Sequence, residues 1–263
     1  MNLFWISDPH FEFVVDQTAR EFVENVTAQS PDAVVITGDI SNSYHLEKHL
    51  ALLARLPCDV YFVLGNHDFY ESNFAAVQDV VTGVCLQYSN LHQLGQGEIV
   101  RLTETTNLVG HGGWADGRAG NGSRSNARLN DHLLIQNLVR RDPGELFAIL
   151  NALGDQSAEY ISTVGETAWE SCDKLIVATH VPPFIEASLY RGRPSDPEYA
   201  PHFVNVAMGK SLIALATRYQ QKSLMILCGH THHAAQYTPR SNLITRVSGN
   251  EYKEPRVTEV IKL

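Results

Sequence analysis

The chain has 263 residues, of which 44% are hydrophobic and 19% charged. That is ordinary globular composition, with ample material for a core. Twenty-nine acidic residues outweigh 20 basic ones, for a formal charge of -9, which argues against a general binder of nucleic-acid backbone. A phosphate substrate is still compatible, because bound divalent metals invert the sign of a site locally. The four cysteines, Cys58, Cys85, Cys172 and Cys228, form no C-x-x-C pair and read as buried small hydrophobes rather than a disulfide framework. The start of the chain lacks the basic and apolar regions of a signal peptide, and no apolar stretch approaches a membrane span. A cytoplasmic location without a membrane partner is therefore expected.

Leu3 to Ser7 reads as a buried strand, and Asp16 to Ala28 as a helix with Phe22, Val23 and Val26 on one face. Ala33 to Thr37 is a second strand, rich in β-branched residues. Leu46 to Leu56 is a helix stopped by Pro57, Val60 to Leu64 a third strand, and Phe74 to Val84 another helix. This alternation predicts a largely parallel α/β sheet with helices outside. Glu98 to Leu102 and Asn107 to Gly110 look like strands, followed by a long polar loop over Gly112 to Asn126. Leu129 to Arg140 and Glu145 to Ser171 read as helical, broken near Pro143 and Gly154. Lys174 to Thr179 returns to the sheet, and residues 182–204 form a second long loop with five prolines. Val206 to Tyr219 is a helix and Leu224 to Cys228 a buried strand. The tail reads as short antiparallel strands at Ala234 to Tyr237, Leu243 to Val247 and Arg256 to Lys262. Residues 1–263 are expected to form one domain, with 112–171 a loop and helical insertion, or cap, within it.

Five of the apolar runs end in residues that bind metals: Asp8-Pro9-His10, Gly38-Asp39, Gly65-Asn66-His67-Asp68, His180, and Gly229-His230-Thr231-His232. In open α/β sheets, ligands sit beyond the carboxyl ends of the strands, so these groups can converge despite their separation in sequence. Singly, each has a plain explanation as a turn residue, a helix cap or a satisfied histidine. Their repetition at five strand exits does not. Carboxylate, imidazole and amide oxygen without thiolate suit Mn, Fe, Zn, Ni or Co, with Mn favoured. The imidazoles argue against a pure Mg or Ca site. The candidates are too many for one ion and suit two divalent ions sharing a carboxylate.

The ordered set D-x-H, G-D, G-N-H-D, H and G-H-x-H resembles the calcineurin-like metallophosphoesterases. That resemblance implies a four-layer α/β/β/α sandwich of two mixed sheets flanked by helices. It implies one metal held by Asp8, His10, Asp39 and His232, and a second by Asp39, Asn66, His180 and His230. His67 would then bind no metal and would act as general acid or phosphoryl stabiliser, with Asp68 orienting it. The implied reaction is hydrolysis of a phosphodiester or phosphomonoester of a small soluble substrate, by attack of a hydroxide lying between ions roughly 3.5–4 Å apart. His10 in the first block leans toward the diester. Substrate contacts are expected from the two long loops: Trp114 stacking, Arg118 holding phosphate, and Tyr190, Arg191 and Arg193 forming a clamp. Two alternatives compete, a nuclease acting on DNA or RNA and a non-catalytic scaffold of the same fold. The acidic charge counts against the first, and the complete residue set against the second.

Overall fold

The computed structural model describes residues 1–263. The first half lays down β1 (Asn2–Ile6), α1 (Asp16–Ala28), β2 (Ala33–Thr37), α2 (Ser43–Leu53), β3 (Asp59–Val63), α3 (Phe74–Gln87) and β4 (Leu91–Gln93). Strands β1 to β4 pair in parallel and in sequence order. The second sheet is built from β5 (Val100–Arg101), β6 (Thr106–Gly110), β7 (Lys174–Ala178), β10 (Ser223–Cys228), β11 (Ala235–Arg240) and β12 (Leu243–Val247), in the order β11-β12-β10-β7-β6-β5. Between its strands lie α4 (Asp131–Leu134), α5 (Pro143–Glu170), a small hairpin of β8 (Leu189–Tyr190) and β9 (Arg193–Pro194), and α6 (Val206–Arg218). The last strand, β13 (Val257–Lys262), crosses back to pair antiparallel with β1.

Alternation along the strands generates the layers, since successive side chains point to opposite faces. From β1 and β2, Phe4, Ile6, Val34 and Ile36 join Phe22, Val26, Leu46 and Leu50 beneath the first helices. Their neighbours Leu3, Trp5, Ala33 and Val35 instead meet Ile176, Ala178, Met225 and Leu227 of the second sheet. The opposite set, Leu175, Val177, Leu224 and Ile226, packs under α5 and α6 with Ile161, Trp169 and Leu212. Two mixed sheets thus lie face to face with helices outside each. Cys172 and Cys228 are buried, Cys58 and Cys85 half-buried, and all four are free. No helix is long and apolar enough to cross a membrane.

Three local expectations differ from the structure. Helix α5 runs unbroken through Gly154, started by Pro143 and by Asp142 Oδ1, which accepts from Glu145 N at 2.9 Å. Gly154 is not a break: a side chain there would collide with Asp116, so the glycine lets the loop before α4 lie against the helix. Over 129–140 only Asp131–Leu134 is helical. Leu243–Val247 pairs in parallel with β10 rather than joining an antiparallel tail. The segment 112–171 packs in two places. The second half of α5 covers the second sheet, while Leu146, Phe147 and Leu150 close a separate cluster with Tyr70, Trp114, Ile135 and Leu138.

His49 of α2 is buried and hydrogen-bonds Ser41 Oγ through Nδ1 at 2.8 Å, bracing the turn after β2. Burial, then Lys48 and His45, push its pKa down to about 4, and burial alone pushes His111 to about 4. Both stay neutral in the folded chain while the unfolded chain takes up protons from about pH 6.5 downward. The contribution of these two histidines to the stability of the protein held in chelator should therefore be full above pH 6.5 and fall as pH drops toward 4. Urea midpoints at several pH values check this, and His49→Gln should flatten the slope.

Candidate metal centre

The strand ends turn sharply. Asp8, His10, Asp39, His230 and His232 all have left-handed backbones, with φ of 49°, 44°, 52°, 73° and 55°. Ten non-glycine residues in the chain share this conformation, and half of them are these five. It costs an ordinary residue about 1–3 kcal/mol, and here it swings each side chain back over the sheet edge. The motif glycines have a matching reason. A Cβ on Gly65 would run into Asp39 Oδ1, and one on Gly229 into the Asp8 carboxylate and Ser7 Oγ.

The result is one buried cluster fed by both sheets. Asp8, His10, Asp39 and His232 place one ligand atom each within 4.8 Å of one another. His10 Nε2 lies 3.3 Å from His232 Nε2 and 3.5 Å from Asp39 Oδ2. On the other side of Asp39, His180 Nε2 is 3.4 Å from the same Oδ2, 3.0 Å from Asn66 Oδ1 and 3.2 Å from His230 Nδ1. Asn66 Oδ1 is also 3.0 Å from His230 Nδ1. Asp39 therefore stands between two donor sets. Its Oδ1 accepts from His67 N at 2.9 Å. The sheets are tied together at this point, His230 N donating to Asp8 Oδ1 (2.9 Å) and His180 Nδ1 to Thr37 O (2.8 Å).

The outer ring nitrogens show what the inner ones are for. His180 Nδ1 donates to Thr37 O, His232 Nδ1 to Asn250 O, His230 Nε2 to the His202 carbonyl, and His10 Nδ1 to Glu12 Oε1, at 2.8, 2.7, 3.1 and 3.1 Å. Each neutral ring then carries its proton outside and an acceptor lone pair inside. Two such lone pairs 3.2–3.3 Å apart, as in His10/His232 and His180/His230, have nothing to share but a cation. The electrostatics agree. Burial opposes charge at Asp39, yet His180, His67 and His10 hold it well below the usual carboxylate range. Burial likewise opposes charge at His180, but Asp39 and Asp8 raise it to about 10, while burial and His180 press His230 down to about 4. The pocket demands positive charge and settles for one proton. Two divalent cations fit this donor set.

The sequence profile of the calcineurin-like phosphoesterases matches residues 1–234. The chain belongs to this family. In fold, the phosphoesterase is similar to a dimetal phosphatase from Danio rerio (TM-score 0.60, 13% identity, 97% of this chain and 89% of that one covered). It is also similar to a Thermus thermophilus protein (0.55, 12%, 95% and 89%). A 5'-nucleotidase from Candida albicans aligns over 94% of this chain but 45% of its own length (0.52, 13%). A search of curated proteins finds no match.

His67 sits at the mouth of the phosphoesterase cluster. Its ring stacks on Tyr70 at 4.2 Å, and its Nδ1 lies 3.3 Å from Glu12 Oε1. Asp68 does not orient it: that carboxylate accepts from Gly65 N, Ile40 N and Ser41 N at 2.7, 2.9 and 2.9 Å, clamping the turns after β2 and β3 together. Glu12 takes the place expected of Asp68. The substrate residues expected from the loops are also redistributed. Trp114 is 8% exposed and packs against Phe74 at 5.4 Å, so its ring is core. Arg118 is bound by Asp116 (3.0 Å) and Asp155 (2.7 Å). Arg191 lies over the Tyr190 ring at 5.2 Å, and Arg193 is exposed on the hairpin. The cavity over the metal cluster, about 150 Å³, is lined by no arginine; His67, Tyr70, Asn130, Asp131, Phe203 and Tyr252 are among its walls.

Two residues without any motif shape the donor set. Tyr252 stacks on His232 at 4.4 Å. Asp131, carried in by α4, accepts from Asn66 Nδ2 (2.9 Å) and from the Tyr70 hydroxyl (2.7 Å). It thereby fixes the amide with Oδ1 toward His180 and His230. Asp131→Ala should weaken a cation held on the His10 and His232 side little and one held on the Asn66 side by about 10–100-fold. Calorimetric manganese titration would then resolve one strong and one weakened site.

Proposed function

We propose that this phosphoesterase hydrolyses a phosphomonoester or phosphodiester of a small soluble substrate with two divalent ions. Asp8, His10, Asp39 and His232 would hold one, and Asp39, Asn66, His180 and His230 the other. The observation that carries the reading is the pair of inward-facing donor sets meeting at Asp39, with an eighth polar group, His67, beside them and outside both. Bound there, the ions supply Lewis acidity toward phosphoryl oxygens and acidify water to a nucleophile near neutral pH.

The chain does the rest. Backbone N–H groups and fixed carbonyls hold the ligands so that little reorganisation accompanies binding of a phosphoryl group. Glu12, bonded to His67 Nδ1, leaves Nε2 facing the cavity. Burial disfavours the imidazolium, but Asp39 and Glu12 outweigh it and raise the His67 pKa above its ordinary value. With Asp39 committed to the ions, Glu12 is the carboxylate that retains this proton. His67 is thus suited to steady a phosphoryl oxygen and to deliver a proton to the departing alcohol oxygen. The small cavity and the formal charge of -9 support a small substrate over a nucleic-acid strand. Manganese is the favoured ion and the cytoplasm the proposed setting.

His67→Ala should lower kcat by about 10²–10⁴-fold while two metals per chain remain by elemental analysis. Loss of both metals would instead make His67 a structural ligand. Rates on p-nitrophenyl phosphate and bis-p-nitrophenyl phosphate under Mn, Fe, Co, Ni and Zn fix the ester preference and the metal together. Failure to cleave either under every ion would sink the hydrolase reading.

A further inference from the structure

A second cavity, about 460 Å³, opens beside the metal cleft. Its walls are Leu189 and Tyr190 of the hairpin, Tyr199, and Phe203. Phe203 lines the metal cleft as well, its ring 4.9 Å from that of His230. Thr231, between the two histidines of the G-H-T-H motif, closes the shared side. The two spaces are therefore neighbours divided by one aromatic ring, one polar and one largely apolar.

Asp196 is the single charged residue on the wall of this second space, and its Oδ1 accepts from Glu198 N at 2.8 Å. Ser195 is tied to Ser188 through both its hydroxyl (2.8 Å) and the Ser188 carbonyl (3.0 Å). A second phosphate would meet Asp196 on a lining that carries no cation, Arg191 being engaged over the Tyr190 ring. A flat, uncharged ring would meet two tyrosines, a phenylalanine and a leucine, which is what an apolar recognition site offers. Tyr190 and Tyr199 are 57% and 50% exposed, a state that a bound ring would relieve.

We propose that this cavity is the subsite for the alcohol side of the ester, and that it selects substrates whose alcohol carries an uncharged aromatic ring. The proposal rests on the hydrolase reading for the position of the phosphoryl group but makes its own prediction about binding. Helix α4 thus helps to fix the metal ligands through Asp131, and the loop 182–204 reads the substrate.

The test is calorimetric binding of two phosphonates, which cannot be hydrolysed, to the manganese-loaded protein. 2-Phenylethylphosphonate should bind roughly 10-fold or more tightly than ethylphosphonate, the increment expected for burying a phenyl ring. Tyr199→Ala and Leu189→Ala, both outside the metal cluster, should each cut that preference about threefold or more and leave ethylphosphonate affinity unchanged, while Tyr199→Phe should keep it. Equal affinities in the wild type, or a preference that survives both alanine variants, would overturn the subsite. Turnover of p-nitrophenyl phosphate and bis-p-nitrophenyl phosphate is scored separately: a phenylethyl preference without cleavage of either would refute the hydrolase reading and support the subsite.

Discussion

Two pairs of histidines turn their inner nitrogens toward each other on either side of Asp39, and four fixed acceptors behind them keep it so. Thr37 and Asn250 carbonyls, the His202 carbonyl and the Glu12 carboxylate each take a ring proton outward. These acceptors come from β2, from the loop before β13, from the segment before α6 and from the turn after β1. Were any of them to move, a ring could flip its tautomer and quench its donor. The arrangement of both sheets can be read as the means of keeping those four carbonyl and carboxylate positions constant.

Asp39 shows why two sheets are needed rather than one. One oxygen lies about equally far from His10 and His180, which belong to different sheets, and the other accepts from the His67 backbone. A single sheet would present ligands along one edge. Two sheets with aligned carboxyl ends enclose the carboxylate from both sides, and Asp68 locks the turns after β2 and β3 in register beneath it. The neighbouring cavities then differ in character because different chain segments wall them.

Much of this could be read from residue order. Buried strands announced themselves by apolar runs, and the polar residue after each run lay where strand ends must converge. What was illegible depended on chain reversal. Glu12 follows His10 by two positions, with no spacing rule to mark it, and reaches both His10 and His67 only because a short 3-10 turn folds it back. Asp131 is one acid in a polar stretch until the cluster around Trp114 and Ile135 brings α4 down onto Asn66. Gly154 looked like a helix break because propensity says nothing of the neighbour it makes room for. The parallel pairing of β12 is set by its partner β10, and local sequence carries no strand direction.

The five left-handed corners have a consequence of their own. L-residues with a Cβ are held there against their preference, so the rim of the crevice is the part of the fold with the most to gain from relaxing. Cations bound there would cross-link the corners, which hydrogen bonds and ring packing otherwise restrain. Because domains stay folded by a narrow margin, the strain held at these five corners makes the rim the place where a bound cation would add most to stability.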